Sequence, residues 1–350
     1  MNRVPIEDVR KDVSFGRPHL VILGAGASRQ AFPYGDVRGR KLPTMTELIE
    51  TLGLKPLLSS GPVPYKGRNF EEVYSDLADR EDCTALRKSL DDAVREYFTD
   101  LELPGEPTLY DYLLLSLRPK DSIATFNWDP LLFMSALRLA DKVDLAYLMF
   151  LHGNVAVGYC DQDRQKGNVK AVCSKCLRPF KTSRLLYPVR QKNYQNDVSI
   201  SREWHDVEKA LKSAYALTIF GYSAPVTDVE AKQLMTQAWG RQSQRELEQI
   251  ELIDVISDDD LRKRWGDFIL EHHYEVATDF FSSRVAKHPR RSCEAIWSQF
   301  MEMKFFEQDP LPRGVGLEVL IEWIKPYLEW EARSSAAQQG DGGRDSGSRG

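Results

Sequence analysis

Four short apolar runs in this sequence each end in small or polar residues that could take part in chemistry. The four endings are Gly24-Ala25-Gly26, Asn127-Trp128-Asp129, His152-Gly153-Asn154 and Gly221-Tyr222-Ser223. An amide such as Asn127 donates and accepts hydrogen bonds without carrying charge, and an imidazole such as His152 exchanges a proton near neutral pH. If the runs are parallel strands of one sheet, their carboxyl ends share an edge, and the sequence predicts a polar pocket there.

The glycines after the first run, residues 20–23, indicate a tight turn that opens a helix. Gly24 and Gly26 allow positive φ and a close approach of the backbone, and a helix start favours a phosphate. A dinucleotide-binding fingerprint would have a third glycine where Arg29 stands, and no Gly-Lys-Ser/Thr of a P-loop follows. Taken alone, the run is equally compatible with a strand and turn that bind no ligand.

Three cysteines have the spacing of a metal site. Cys173 and Cys176 form a CxxC pair, and Cys160 and Asp163 have the same spacing with aspartate in the fourth place. Thiolates and a carboxylate can together bind zinc tetrahedrally. Asp161 is the alternative carboxylate, and three ordinary thiols without metal are the alternative to a site. A redox pair is disfavoured because the CxxC does not follow a strand at a helix start.

The composition is that of a soluble globular protein, with 42% hydrophobic and 28% charged residues. The net charge of −5 argues against a general nucleic-acid or anionic-membrane binder. No signal peptide and no apolar stretch long enough to span a membrane is visible. Five cysteines, an odd number, suggest reduced thiols or a metal, so we expect a cytoplasmic protein in which Cys83 and Cys293 are packing residues.

Apolar runs that alternate with helical patterns predict an α/β fold. We expect a Rossmann-like parallel sheet flanked by helices, with a helical insertion, a small lobe that could bind zinc, and C-terminal helices. The last predicted strand is 250–256, and the basic run 284–291 is interpreted as a solvated helix end. The predicted units are a Rossmann-like domain at 12–45 and 118–257, a helical insertion at 46–117, the small lobe at 153–187, a C-terminal helical region at 258–332 and a disordered tail at 333–350.

Five short motifs occur in a fixed order along the chain. They are Gly24-Ala-Gly-Ala-Ser28, Leu42-Pro-Thr44, Thr125-Phe-Asn-Trp-Asp129, Leu151-His-Gly153 and Gly221-Tyr-Ser223, with Leu185-Leu-Tyr-Pro188, Lys192 and Trp204 in support. This set resembles the sirtuin-like superfamily, and its bacterial branch more than its histone-deacylase branch, over roughly residues 18–257. The resemblance implies that NAD⁺ binds as a substrate and that its nicotinamide–ribose bond is cleaved. Many members of this branch are similar to NAD⁺ hydrolases that deplete NAD⁺ during phage infection.

The resemblance also implies roles for individual residues. Asn127 would stabilise an oxocarbenium-like ribose, and His152 would accept a proton from a ribose hydroxyl or water. The expected NAD⁺-binding residues are Gly24, Ala25, Gly26, Ala27, Ser28, Thr125, Asp129, Gly221, Ser223 and Ser257, of which Ala25, Gly26 and Ser28 would face the pyrophosphate. Sirtuins carry a four-cysteine zinc module after their His-Gly, which implies a structural Zn²⁺ held by Cys160, Asp163, Cys173 and Cys176.

Each of these residues has a purely structural alternative. Asn127 could form an Asx turn, and Asp129 could cap the helix that begins at Pro130. His152 could be a hydrogen-bonded histidine at a strand end, and the glycine of Gly221-Tyr-Ser223 could serve a turn only.

Three functions are compatible with the motifs. The first is an NAD⁺ hydrolase, and the alternative is an NAD-dependent protein-lysine deacylase. The deacylase motif Gly-Ile-Pro-Asp-Phe-Arg is replaced by a longer segment at 30–38, and Phe126 stands where deacylases have glutamine. A second alternative is a sensor of NAD⁺ or ADP-ribose that acts on a partner effector protein without catalysis. The helices after residue 257 could inhibit the enzyme or build a homo-oligomer.

Overall fold

The computed structural model describes residues 2–187, 197–224, 229–240, 248–269 and 273–341. The strands in these residues are β1 Asn2–Val4, β2 His19–Leu23, β3 Ser122–Thr125, β4 Tyr147–Phe150, β5 Val157–Tyr159, β6 Lys166–Asn168, β7 Lys181–Thr182, β8 Ala216–Phe220, β9 Gln249–Ile253, β10 His273–Ala277 and β11 Lys304–Phe306. The helices are α1 Ile6–Lys11, α2 Ala25–Ala31, α3 Leu48–Thr51, α4 Lys55–Ser59, α5 Phe70–Ala78, α6 Thr84–Thr99, α7 Leu109–Leu115, α8 Leu131–Leu139, α9 Val198–Ser213, α10 Val229–Trp239, α11 Asp258–Ile269, α12 Arg284–Lys287, α13 Ser292–Met301 and α14 Leu317–Asp341, with short 3₁₀ turns at Glu81–Cys83 and Phe280–Ser282.

The main sheet has six parallel strands in the order β10-β9-β8-β2-β3-β4. At its centre Leu23 pairs with Thr125 on one side and with Phe220 on the other, and Thr125 pairs with Phe150. Each of these four residues is the last of its strand, so the strands end at the same level. The structure therefore confirms the predicted α/β class and the shared edge of the four strand ends.

Alternation along β2 divides the apolar core into two layers. Val21 and Leu23 contribute to a core that includes residues of α5, α6, α7, α8 and α14. Leu20 and Ile22 contribute to a second core on the opposite face, with residues of α9, α10 and α11, including Trp204. The sheet is thus covered by helices on both faces, which explains why its central strands are mostly apolar in sequence.

The C-terminal part of the chain contains strands as well as the predicted helices. β10 pairs in parallel with β9 and lies at one end of the main sheet, and β11 pairs with β1. Most side chains of β10 are exposed, so it has no continuous apolar run that would mark it in the sequence. The last strand of the main sheet is therefore not the predicted one at 250–256.

The predicted disordered tail begins too early. Helix α14 continues to Asp341, so residues 333–341 are helical. Once a helix is nucleated by packed residues, alanine, arginine and glutamine extend it at little cost. Residues 342–350, the rest of the predicted tail, lie outside the described residues.

Arg290 and Arg291, within the basic run 284–291, are buried rather than solvated. Their exposed fractions are 2% and 0%. Both guanidinium groups bind the Glu331 carboxylate of α14, and Arg291 also donates to the carbonyl oxygens of Val9 and Arg10. The interpretation of this run as a solvated helix end is therefore wrong for these two residues, which join α14 to the N-terminal helix α1.

None of the helices in the described parts of the chain combines the length and the apolar character that crossing a bilayer would require.

Candidate active site and metal centre

A cleft of about 760 Å³ lies at the carboxyl ends of the central strands. This volume is in the range of small-molecule and cofactor sites. All four predicted strand endings contribute to it. The residues that they provide are Gly24, Ala25, Gly26, Asn127, Trp128, His152, Gly221, Tyr222 and Ser223, and Phe126, which precedes Asn127, lines the cleft as well.

Glycines let two of these strand endings touch each other. Gly221 has φ of +62°, and a Cβ atom on Gly26 would lie 2.8 Å from its Cα atom. The Gly26 N–H donates to the Gly221 carbonyl oxygen at 2.9 Å. The glycines therefore join β2 and β8 at the cleft, and the Gly26 N–H is used within the protein.

The side chain of Asn127 is fixed by two hydrogen bonds. Its Nδ2 donates to the Gly24 carbonyl oxygen and to Ser28 Oγ, both at 2.8 Å. A carbonyl oxygen can only accept, so the amide nitrogen must be the atom on that side. Both N–H groups are thus engaged, and Oδ1 is the atom of this amide that the described part of the chain leaves available to a ligand in the cleft.

Beneath Asn127, Ser28 connects to a buried carboxyl group. Ser28 Oγ donates to Asp129 Oδ2 at 2.7 Å and lies 2.6 Å from the hydroxyl of Tyr110. Burial raises the pKa of Asp129, although hydrogen bonds from Ser28 and the Leu131 N–H oppose this shift. The Leu131 N–H, at the first residue of α8, donates to Asp129 Oδ1 at 3.1 Å, so Asp129 also has a structural role at the start of this helix.

His152 follows β4 and is 7% exposed. The Phe126 ring meets the imidazole edge to face, with ring centroids 4.8 Å apart. The same Phe126 ring stacks on Tyr222 at 4.0 Å with an interplanar angle of 8°. The backbone of His152 is held by the Leu186 N–H, which donates to its carbonyl oxygen at 2.9 Å. Aromatic packing therefore positions the imidazole beside the cleft that Asn127 also lines.

The structure separates the predicted NAD⁺-binding residues into two groups. Gly24, Ala25, Gly26, Gly221 and Ser223 line the cleft. Five others, among the described residues, do not line it: Ala27, Ser28, Thr125, Asp129 and Ser257. Ser28 and Asp129 belong to the buried layer below Asn127, Thr125 Oγ1 accepts from the Asn127 N–H, and Ser257 caps α11 through the Asp260 N–H. Their direct contact with NAD⁺ remains a prediction.

Several residues that line the cleft were not predicted. Asp254 follows β9, so the rule that located the other strand ends would have found it. Arg29 lies on α2 and Arg264 on α11, and both add positive charge to the cleft. Asn69 and Glu71, at the start of α5, reach the cleft only through tertiary packing of the segment 46–117, for which the sequence has no local signal.

The four predicted metal ligands lie together in the small lobe formed by β5, β6 and β7. The ligand atoms of Cys160, Asp163, Cys173 and Cys176 are all within 4.8 Å of one another. Cys160 and Cys176 are 3.5 Å apart between Sγ atoms, and Cys173 Sγ is 3.3 Å from Asp163 Oδ2. Ligands about 2.3 Å from a tetrahedral zinc lie at about this separation. Asp161, the alternative carboxylate, instead pairs with Lys181.

The two halves of this cluster have the same backbone turn. The residues that follow Asp163 and Cys176 are Arg164 and Leu177, with φ of 56° and 59°. In each half the first cysteine donates its N–H to the carbonyl oxygen five residues later, at 2.8 and 2.9 Å. Asp163 therefore occupies the position of the second cysteine of a pair, and the donor set of three sulfurs and one carboxylate fits zinc.

We expect protein purified without chelator to contain about one zinc per chain by elemental analysis. Cys173→Ser should lower this content strongly, because it removes a buried sulfur ligand. Asp163→Cys should retain the metal, since it restores a four-sulfur set in the same turn. Cys83 is also buried but lies in the 3₁₀ turn Glu81–Cys83, outside the small lobe, so Cys83→Ala is the control and should leave the zinc content unchanged. Metal-free wild-type protein would contradict the site.

Comparisons with known proteins found solved structures of low similarity. No protein-family model and no curated protein matches the chain. A structure described as "Structural Basis for the Mechanism and Regulation of Sir2 Enzymes" is 12% identical over 82% of this chain and 96% of its own, with a TM-score of 0.41. A Sir2 homolog–NAD complex is 13% identical over 84% and 93%, with a TM-score of 0.39. A mutant Sir2 homologue with ADP-ribose is 12% identical over 93% and 97%, with a TM-score of 0.38. Identities and TM-scores this low do not assign the chain to a family.

Proposed function

We propose that this protein is an NAD⁺ hydrolase, which uses water to cleave the nicotinamide–ribose bond and releases nicotinamide, ADP-ribose and a proton. One observation carries the proposal: Asn127 and His152, from adjacent strands, line the same cleft. An amide and an imidazole that face one substrate are the groups this reaction needs.

The proposed role of Asn127 follows from the sign of the charge that develops. The nicotinamide of NAD⁺ is cationic and leaves as a neutral molecule, so its departure needs no general acid. The ribose that remains is oxocarbenium-like and positive. Because the protein engages both N–H groups of Asn127, the negative end of the amide dipole, Oδ1, is available to stabilise this charge.

The proposed role of His152 is to accept a proton from the attacking water or from a ribose hydroxyl. An imidazole performs this step near neutral pH, provided that it is held in one orientation. Packing against Phe126 supplies that constraint. Arg264 and Arg29, of which Arg29 also pairs with Glu47, line the same cleft and would bind the pyrophosphate of the substrate.

The proposed biological setting comes from the motif resemblance alone. Bacterial sirtuin-like proteins with these motifs are similar to hydrolases that deplete NAD⁺ during phage infection, and we propose the same setting for this chain. The structural zinc would stabilise the small lobe, since the cluster of thiols and Asp163 is separate from the residues that line the cleft.

The test is an NAD⁺-consumption assay on purified full-length protein, with products separated by chromatography. We expect equal amounts of nicotinamide and ADP-ribose from NAD⁺ and water alone. Parallel reactions with an acetyl-lysine peptide distinguish the alternatives. Turnover that requires the peptide and yields an acetylated ADP-ribose would identify a deacylase instead, and tight binding of NAD⁺ without turnover would identify a sensor.

A further inference from the structure

Tyr110 makes a polar contact below the cleft that the proposed mechanism has not used. Its hydroxyl lies 2.6 Å from Ser28 Oγ, although its helix, α7, belongs to the segment 46–117 rather than to the sheet. The side chain is fully buried. The same Ser28 oxygen is 2.7 Å from Asp129 Oδ2 and 2.8 Å from Asn127 Nδ2, so three polar atoms converge on one hydroxyl.

Elementary hydrogen-bond chemistry allows a single arrangement of protons while Asp129 is ionised. The amide of Asn127 can only donate through Nδ2, and the carboxylate of Asp129 can only accept. Ser28 has one proton, which must go to Asp129, and two lone pairs, of which Asn127 uses one. Tyr110 must therefore donate its proton to the other lone pair.

We propose that Tyr110 is a positioning residue for the proposed NAD⁺ cleavage: its hydroxyl donates to Ser28 and thereby holds the Asn127 amide with Oδ1 available to the ribose. The inference rests on the proposed function but makes a separate claim about the chain. Tyr110 is not among the residues that line the cleft, and its hydroxyl makes its hydrogen bond to Ser28 at 2.6 Å, so we place its effect on Asn127 mainly on that serine.

The physical consequence concerns how tightly Asn127 is held. Hydrogen bonds that are linked in a buried network reinforce one another. With three partners, the Ser28 side chain is held in one rotamer, because rotation of its hydroxyl group would break all three hydrogen bonds. Without the phenol, Ser28 retains two partners and an unused lone pair. The Asn127 amide then samples orientations in which Oδ1 no longer faces the reacting ribose, which slows the chemical step without changing the cleft.

The test compares Tyr110→Phe with Tyr112→Phe. Tyr112 is on the same helix and also loses one hydrogen bond, to the Pro312 carbonyl oxygen, but has no contact with Ser28. We expect Tyr110→Phe to lower kcat for NAD⁺ hydrolysis about 5–10-fold with KM changed less than about twofold. Tyr112→Phe should keep the wild-type kcat at a similar melting temperature. Equal kcat losses in the two variants would overturn the proposal.

A double-mutant cycle tests the route through Ser28. Ser28→Ala removes the atom on which Tyr110 acts, so adding Tyr110→Phe to it should lower kcat no further. If the two losses multiply instead, Tyr110 acts by another path and the proposal is wrong. If Tyr110→Phe folds poorly, the loss of kcat in Ser28→Ala alone still measures the effect of the hydrogen bonds that Ser28 makes to Tyr110, Asp129 and Asn127.

A readout without turnover separates this inference from the proposed function. In protein labelled with ¹⁵N-asparagine, the side-chain amide resonances of Asn127 are assigned by comparison with Asn127→Asp, whose spectrum lacks them. We expect their hydrogen exchange to be slow in the wild type and in Tyr112→Phe, and fast in Tyr110→Phe. This result would hold even if the wild type did not hydrolyse NAD⁺, whereas unchanged exchange in Tyr110→Phe would reject the positioning role in an active enzyme.

Discussion

Asn127→Ala and His152→Ala should each reduce NAD⁺ hydrolysis by about 10²-fold or more. Removing Asn127 deletes the fixed carbonyl dipole that opposes the charge of the ribose, an effect of the size seen when one transition-state hydrogen-bonding group is lost. Removing His152 deletes the proposed proton acceptor, and general bases contribute about 10²–10⁴-fold. The measurement is kcat/KM from chromatographic product formation, with near-ultraviolet circular dichroism to verify the fold.

Matched substitutions outside the cleft separate chemistry from stability. His205 is exposed on α9, and Asn168 lies on β6 in the small lobe, where its side chain accepts from the Lys170 N–H. His205→Ala and Asn168→Ala should keep wild-type activity. If Asn127→Ala and His152→Ala also keep it, these residues are not catalytic and the proposed mechanism fails.

Glu331→Ala should destabilise the protein by about 3–5 kcal/mol, which is the usual effect of removing one partner from a buried ion pair. The substitution leaves Arg290 and Arg291 with no carboxylate from α14, although their side chains are only 1% and 0% exposed. Such a loss is a large fraction of the stability of a typical domain. Urea denaturation of the full chain, followed by circular dichroism, measures it directly.

Glu329→Ala is the control for this prediction, because Glu329 lies two residues away on the same helix. It is 65% exposed and pairs at 3.9 Å with an equally exposed Arg333. An exposed pair of this kind contributes at most about 0.5 kcal/mol. Similar urea midpoints for both variants would mean that the buried pairs do not hold α14.

The Glu331 contacts also predict how stability depends on pH. Burial alone would raise the pKa of Glu331, but the hydrogen bonds and charges of Arg290 and Arg291 outweigh it and hold the pKa below its usual value. A carboxyl group with a lowered pKa in the folded state stabilises the protein above its unfolded-state pKa, and this contribution is lost as the pH falls through the folded-state pKa. The stability difference between wild type and Glu331→Ala should therefore shrink in acid.

The features that the sequence predicted are those encoded over a few neighbouring residues. Central strands such as β2 and β8 are buried on both faces, so they appear as mostly apolar runs whose ends are easy to find. The metal ligands were predictable because a CxxC or CxxD turn is a local structure of four or five residues. Once the strand ends were known, parallel pairing was enough to bring Asn127 and His152 to one edge.

The features that the sequence did not predict depend on residues far apart in the chain. Tyr110 lies 82 positions from Ser28, and an apolar helix gives no sign that one of its tyrosines will reach a buried serine. Arg290 lies 41 positions from Glu331, and a basic run is normally solvated, so its burial could not be inferred without the partner. β10 pairs as an end strand with exposed side chains and therefore lacks an apolar pattern.

The central place of β2 in the sheet has a consequence for biosynthesis. Its neighbour β8 begins about 190 residues after β2 ends, which at roughly 5–20 residues per second is about 10–40 s of translation. During that time the four apolar residues of β2, 20–23, have at most one neighbouring strand, β3. Nascent chains that stop before residue 216 thus carry an open apolar strand edge, and should be the species that chaperones bind and that aggregate when synthesis stalls.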